Sequence, residues 1–457
     1  MVIPFVNRSR ELTRLSRAIA SPTPAFIVVY GRRRCGKSRL LAELPGKDLV
    51  YYLADMQESP LQLRALAEQI AARIPGFDSV EYPSWESILR QFQRQCRREM
   101  TLVIDEFPHL VRMYPPLASV VQKIVDGGLE GNLVLCGSSQ RMMQGLVLDA
   151  AAPLYGRATE ILRIDPLMPG WICDGLGLSG VLAFESYAVW GGVPRYWESA
   201  RDHDGLQQAL RYLVFDKNGV FHSEPARLLM DDVPGSTQPN SLLALIGAGC
   251  HRLSEIAARL GKPAVNLSKP LSQLVELAYI RRDLPFGESL RSTKRSYYHI
   301  ADPFLRFWYR YVNPNRSVLE LGLIDQVYDE CMRSFSAHVG GVWEDCARMS
   351  TAFVRIDGIQ WKPASRWWGA GTDRRPCEID IVAESFDGAH LLLGEAKWEH
   401  RVDPAAVLQR LMRNAERVPF VNGRTIHYAL WLKNPPLSTP AKCTLLDPAT
   451  VLSHLRG

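Results

Sequence analysis

Gly31, Gly36, Lys37 and Ser38 stand in the run YGRRRCGKSRLL at the spacing GxxxxGK(S/T), and these residue types so spaced are suited to gripping a chain of phosphates. Glycines let the backbone turn with positive φ and bring successive N–H groups to an anion, and the start of the following helix adds partial positive charge. The Lys37 ammonium is expected to reach the β- and γ-phosphates and the Ser38 hydroxyl to ligate Mg²⁺. With Arg32, Arg33, Arg34, Cys35 and Arg39 alongside them, these residues form the candidate ATP-binding loop. A second constellation is Asp105 and Glu106, closing the run TLVIDE. Asp105 is placed to hold the Mg²⁺ through its coordination shell and Glu106 to polarise an attacking water. A third is Asp380 in CEIDIVA with Glu395 and Lys397 in GEAKW. Two carboxylates and a lysine meet the needs of Mg²⁺- or Mn²⁺-assisted phosphodiester hydrolysis: acids hold the cation, and the lysine orients water and phosphate. A hairpin with a charged solvent face would contain the same three residues without catalysis.

Each constellation demands particular elements around it. FIVVY must be a strand that delivers the chain into the glycine-bounded loop, with a helix starting at Lys37. Residues 48–54 read as a second strand, two helical patterns run to residue 98, and 101–106 reads as a parallel strand buried on both faces with acids at its C-terminal end. NLVLCGSS, residues 132–139, repeats that pattern. Toward the C-terminus, acidic and apolar residues alternate over 377–383, Asp387-Gly388 offers a turn, and a second strand leads into Glu395 and Lys397. Alternation places Glu395 and Lys397 on one face, with Asp380 joining them across the hairpin. A helix begins near Pro404.

Between these regions, DDVPGSTQPN, residues 231–240, reads as a linker. Helices are expected over 241–246, 252–260 (ended by Gly261) and 264–277, and strands over 280–285 and 296–300, joined by a loop with Arg291, Lys294 and Arg295. The turn between the second and third helices matches a helix-turn-helix, whose Asn266, Ser268, Lys269 and Gln273 could face bases or phosphates. Docking of a protein is the other use of such a module. The aromatics of DPFLRFWYRY, residues 302–311, read as core rather than as a platform for bases.

A chain of 457 residues exceeds one core, so about two to four domains are expected. A net charge of +6 and pI near 8.8 are compatible with a nucleic-acid partner but do not establish one. Nine scattered cysteines without a CxxC pair or zinc-finger spacing read as reduced thiols. The start MVIPFVNRSREL lacks a charged n-region followed by an apolar one, and no apolar run approaches the roughly 18 residues of a membrane span. The expectation is a cytoplasmic protein with no membrane partner.

YGRRRCGKSRLL, LVIDEFPHL, LYGRAT and GGVPRYW, in that order, resemble the prokaryotic AAA/STAND-type P-loop ATPases joined to a C-terminal domain. The resemblance implies further roles. The segment from Phe5 to Leu12 would cover the adenine, Ser138 or Ser139 would sense the γ-phosphate, and Pro194 would border the base while Arg195 reads nucleotide state. Arg157 would serve as an arginine finger, in cis or toward a neighbouring subunit of a homo-oligomer; a structural arginine is the alternative. The C-terminal D...ExK pattern resembles the PD-(D/E)xK nucleases, and Glu344 resembles the first-helix acid of their archaeal Holliday-junction-resolvase-like members, which adds it to Asp380 and Glu395 as a metal ligand. Gln409 would lie on the helix that follows the core strands. The implied fold is multidomain α/β. A P-loop ATPase core with a parallel sheet (1–168) and a helical lid (169–231) would be followed by a winged helix (240–313) and a restriction-endonuclease-like domain (335–457). The implied function is a DNA-directed ATPase whose nucleotide state controls DNA engagement or cleavage. The alternative is a regulatory or signalling ATPase with a non-cleaving C-terminal domain.

Overall fold

The computed structural model describes residues 3, 5–44, 48–233, 237–289, 295–436 and 442–456. Arg291 and Lys294 lie outside the described residues. Two compact units make up the chain: Asn7–Pro166 with Met230–Pro234, and Leu167–Leu229 with Gly235–Gly457 and the first six residues.

In the first unit, strands β1 (Phe26–Tyr30), β2 (Leu49–Leu53), β3 (Thr101–Asp105), β4 (Asn132–Gly137) and β5 (Glu160–Arg163) form one sheet in the order β2-β3-β4-β1-β5. Every pairing is parallel. Each residue of β1, β3 and β4 is buried, which is why these strands read as unbroken apolar runs. Parallel alignment sends the C-terminal ends of β1, β3 and β4 to one edge. Strand β5 was not legible in the sequence: four residues, EILR, with one fully buried, carry no periodic signal.

The second unit opens with short helices, among them Gly180–Trp190 and Pro194–Arg201. Three helices follow, Gln238–Gly247, Leu253–Leu260 and Val265–Glu276, then an antiparallel pair, β6 (Ile280–Asp283) and β7 (Tyr297–Ile300). The expected linker is shorter than its composition indicated. One helix runs through Asp232, and the next starts at Gln238 with Pro239 in its first turn, where proline's missing N–H costs nothing. The aromatic stripe is core: Phe304, Phe307, Trp308, Tyr309 and Tyr311 are all buried.

A 27-residue helix, Ile324–Ser350, then lies against a sheet in the order β12-β11-β10-β9-β8. Its strands are β8 (Ser365–Ala370), β9 (Pro376–Glu384), β10 (His390–Lys397), β11 (Thr425–Leu432) and β12 (Thr444–Leu446). β9 runs antiparallel to both of its neighbours, β8 and β10, whereas β10, β11 and β12 are parallel. The β9–β10 turn contains Gly388 at φ +74°, a left-handed conformation that favours glycine. Fully buried Trp343 and Trp431 tie helix to sheet: Trp343 Nε1 donates to the Trp431 carbonyl at 3.0 Å, and Trp431 Nε1 to Ser350 Oγ at 3.0 Å. The helix Gly180–Trp190 joins the same core, with the Phe184 ring 4.8 Å from Trp343 and 4.9 Å from Trp398.

No single helix among the described residues is long and apolar enough to cross a membrane. The bent pair Pro169–Leu176 and Gly180–Trp190 passes by composition, and its Phe184, Ala188 and Trp190 are buried in this core. None of the nine cysteines, all of them among the described residues, is in a disulfide.

His338, on the long helix, is fully buried, with Nε2 2.8 Å from the Ala188 carbonyl and Phe307 edge-on at 5.4 Å. Burial lowers its pKa from 6.5 to about 3. The fold therefore favours neutral imidazole, and the stability this gives is present above pH 6.5 and is lost as pH falls toward 3. The melting temperature of the second unit should drop between pH 7 and pH 5, and a His338→Gln variant, which cannot be protonated, should show a smaller drop. Equal drops would exclude His338 as a cause.

Candidate functional site

The loop after β1 adopts a phosphate-binding geometry. Gly31 has φ +154°, and a Cβ there would lie 2.2 Å from the Ile164 carbonyl oxygen; Gly36, at φ +90°, leads into the helix Lys37–Ala42. Lys37 is buried, and its Nζ donates to the carbonyls of Gly31 (2.9 Å) and Arg32 (3.2 Å). The Ser38 hydroxyl donates to Asp105 Oδ2 at 2.7 Å, so the loop after β1 and the acid ending β3 meet although β4 separates their strands. Asp105 is 1 % exposed. Burial opposes its charge, but hydrogen bonds from Cys136, Ser38, Tyr51 and the Glu106 N–H outweigh burial and hold the carboxyl below its ordinary range. A hydroxyl and a hard carboxylate at this distance fit Mg²⁺, which takes one or two protein oxygens and completes its shell with water and phosphate.

Glu106 has φ +53°, a conformation non-glycine residues seldom adopt, and its Oε2 accepts from Ser138 N (3.1 Å) and Ser138 Oγ (2.8 Å). The two serines thus part. Ser138 holds Glu106, whereas Ser139 caps the helix Gln140–Val147 and donates to the Asp231 carbonyl at 3.1 Å. Arg33 pairs with Asp231 at 3.3 Å. Arg157 makes a two-pronged bond to Asp126, at 2.7 and 3.0 Å, which occupies the donor edge a finger would present. Pro194 begins its helix and exposed Arg195 pairs with Glu198 at 3.1 Å; both belong to the second unit.

Sequence reasoning missed Tyr51, and it read Arg8 only as part of the Phe5–Leu12 segment expected to cover the adenine. Tyr51, on β2, donates to Asp105 Oδ2. Arg8, 6 % exposed, donates to the carbonyls of Cys35 (3.1 Å) and Asp165 (2.5 Å) while pairing with Glu11 at 2.9 Å, and so fastens the phosphate loop to the segment after β5. Arg8→Met strands those acceptors and should destabilise the first unit by about 2–4 kcal/mol. Thermal melting should record this as a lowered midpoint; an unchanged midpoint would show that the loop holds its shape without Arg8.

In the second unit, β9 and β10 present the third constellation. Lys397 Nζ lies 2.7 Å from Glu395 Oε1 and 3.7 Å from Asp380 Oδ2, and Asp380 Oδ2 also accepts from the Ala396 N–H at 3.2 Å. Burial and the neighbouring Asp380 push the Glu395 carboxyl up, against the pull of Lys397. Glu344, on the long helix, reaches the same place: burial, then the Asp380 charge, raises its pKa to about 7. Arg348 binds the Asp380 carbonyl at 3.0 Å and pairs with Glu344 at 3.9 Å. The helix Pro404–Ala415 contributes Arg410, 3.1 Å from Glu395, rather than the exposed Gln409 beside it. Among the described residues no group of three or more His, Cys, Asp or Glu side chains converges as a cation-ligand set. Asp380 and Glu395 supply a pair of hard oxygens, which suffices for a cation that also binds water and phosphate.

A parallel sheet with a glycine-lysine-serine loop after β1 and the acids Asp105 and Glu106 at the end of β3 gives the first unit the arrangement of a P-loop ATPase domain. A family model described as an ATPase domain predominantly from Archaea matches residues 5–171, and one described as "Archaea bacterial proteins of unknown function" matches residues 308–410. The chain is 30 % identical over 418 residues to the uncharacterized protein MJECL04 of Methanocaldococcus jannaschii, spanning 87 % of this chain and 88 % of that one, and it belongs to the same family. Among solved structures, the Walker-type ATPase of Pyrococcus abyssi is 18 % identical, with 66 % of this chain and 95 % of that one covered at a TM-score of 0.46. The ORC2 protein of Aeropyrum pernix is 13 % identical, with 73 % and 97 % covered at 0.42.

Proposed function

We propose that this protein binds and hydrolyses ATP with Mg²⁺ in its first unit and cleaves DNA with Mg²⁺ or Mn²⁺ in its second. The observation that carries the first half is the 2.7 Å contact between Ser38 and Asp105, which brings a hydroxyl and a carboxylate together beside the phosphate loop. Mg²⁺, when bound, neutralises charge on the β- and γ-phosphates. Lys37 exchanges its loop carbonyls for phosphate oxygens, with the backbone of residues 31–39 around them. Glu106 takes a proton from the attacking water, and Ser138 holds that carboxylate in place. Arg157 is a structural residue in this proposal, while Pro194 and Arg195 keep their roles as nucleotide sensors.

In the second half, Asp380 and Glu395 hold the cation and Lys397 orients the attacking water; Glu344, expected as a third ligand, does not converge with them as a ligand set among the described residues. The three helices and the β6–β7 pair act as a winged helix that brings DNA to the site. Asp231, which accepts from both Arg33 of the phosphate loop and Ser139, gives nucleotide state a lever on the chain leading into that module. A homo-oligomer is part of the reading. The test measures cleavage with and without ATP on wild type and Lys37→Ala. Cleavage that responds to ATP only in the wild type supports the coupling; identical behaviour of the two sinks it.

One observation favours a second reading. Glu395 is neutralised by Lys397 and Arg410 together, as a carboxylate is in a site that binds without cutting. On that reading the protein is a regulatory ATPase that engages DNA or a partner protein through the winged helix.

A further inference from the structure

Three adjoining cavities, about 590, 670 and 420 Å³, run along one side of the second unit, and Arg252 and Tyr297 line all three. Volumes of this size take small ligands. At the centre, the Tyr297 ring stacks on Trp368 with centroids 4.6 Å apart and planes within 8°. Both rings are half-buried and line the 670 and 420 Å³ cavities. Arg252 covers Tyr297, 5.5 Å from its centroid, and donates to its hydroxyl at 3.0 Å. Arg366 lies 5.8 Å from the Trp368 centroid, and Arg295 donates to the Trp368 carbonyl at 2.6 Å. Arginines outnumber acids along the walls, and Asp345 is paired with Arg281, Arg306 and Arg348. Glu344 and Arg348 line the 590 Å³ cavity, and Arg348 donates to the Asp380 carbonyl at 3.0 Å.

We infer that this groove is a track for single-stranded DNA that leads to the Asp380–Glu395–Lys397 cluster. Arginines in series track phosphates, and aromatic faces flanked by guanidinium groups take unpaired bases, whose π-faces a duplex keeps stacked inside. A double helix could lay phosphates along these arginines but could offer no base to Tyr297 or Trp368. The inference rests on the nuclease reading only for what lies at the end of the track; binding along it is independent of cleavage.

The test is fluorescence anisotropy on the intact chain in EDTA, with a labelled 15-residue oligothymidylate and the corresponding dA·dT duplex. The single strand should bind tighter than the duplex and quench tryptophan fluorescence. Arg252→Gln, at an exposed position, should weaken binding roughly tenfold with an unchanged melting temperature. Trp368→Phe keeps a stacking ring, so it should retain near wild-type affinity while losing most of the quench. Duplex binding as tight as single-strand binding, or an Arg252→Gln protein that binds like wild type, would overturn the track. Asp380→Ala separates the two readings. If it binds the oligonucleotide normally while the wild type cuts no DNA, the track stands and the nuclease reading fails. If wild type cuts duplex DNA but does not bind the oligonucleotide, the track fails alone.

Discussion

Glu106→Gln should lower ATP turnover by about 10²–10⁴-fold while leaving ATP binding nearly intact, and Lys37→Ala should weaken binding and abolish turnover. The split follows from where the two side chains sit. Lys37 is buried at the base of the loop and turned onto two loop carbonyls, so its replacement removes a charge the phosphates need at every stage of the cycle. Glu106 lies one residue beyond the strand, outside the loop, and its carboxylate is held by Ser138. Glutamine keeps the shape and the acceptor oxygen for Ser138 but cannot take a proton. Nucleotide binding by fluorescence titration and phosphate release by a coupled assay separate the two effects. Full turnover in Glu106→Gln would remove it from the chemistry.

Lys397→Met should reduce DNA cleavage by about 10²–10³-fold, the usual cost of removing one group that stabilises developing charge. The same change should tighten Mn²⁺ binding. Lys397 now neutralises Glu395 at 2.7 Å and adds positive charge 3.7 Å from Asp380, so an incoming cation meets repulsion that methionine removes. Isothermal titration with Mn²⁺ and a cleavage assay should therefore move in opposite directions. If both fall together, the lysine serves to assemble the site rather than to act on the scissile phosphate.

Local chemistry made much of this legible in advance. Gly31, Gly36, Lys37 and Ser38 lie within eight residues, and the β9–β10 hairpin brings Asp380 opposite Glu395 by a turn that two residues announce. Buried parallel strands read as apolar runs because both faces are covered. Contacts between distant segments were not legible, since no spacing encodes them. Arg8 reaches a carbonyl 157 residues away, and Tyr51 meets Asp105 only because β2 pairs with β3. Glu344 was placed beside Asp380 by the family resemblance alone, since nothing in its spacing shows that the long helix lies on the sheet. Gln409 and Arg410 show the same limit on a smaller scale: a helix was legible, but the side chain that faces Glu395 depends on how the helix is rotated. Arg157 sat in a suggestive motif, yet its partner Asp126 comes from the helix Leu117–Asp126, 31 residues away. The segment 231–240 misled in part because a proline marks a helix start as readily as a linker, and Pro239 lies in the first turn of Gln238–Gly247.

The most direct test of the account is metal-dependent cleavage of labelled duplex, single-stranded and branched DNA, with Mg²⁺ or Mn²⁺ and with or without ATP, by wild type and by Asp380→Ala. The account predicts cleavage of at least one of these forms by wild type and none by Asp380→Ala, with ATP hydrolysis equal in both. Intact DNA under every condition, with wild-type ATP hydrolysis, would contradict it and leave a regulatory ATPase.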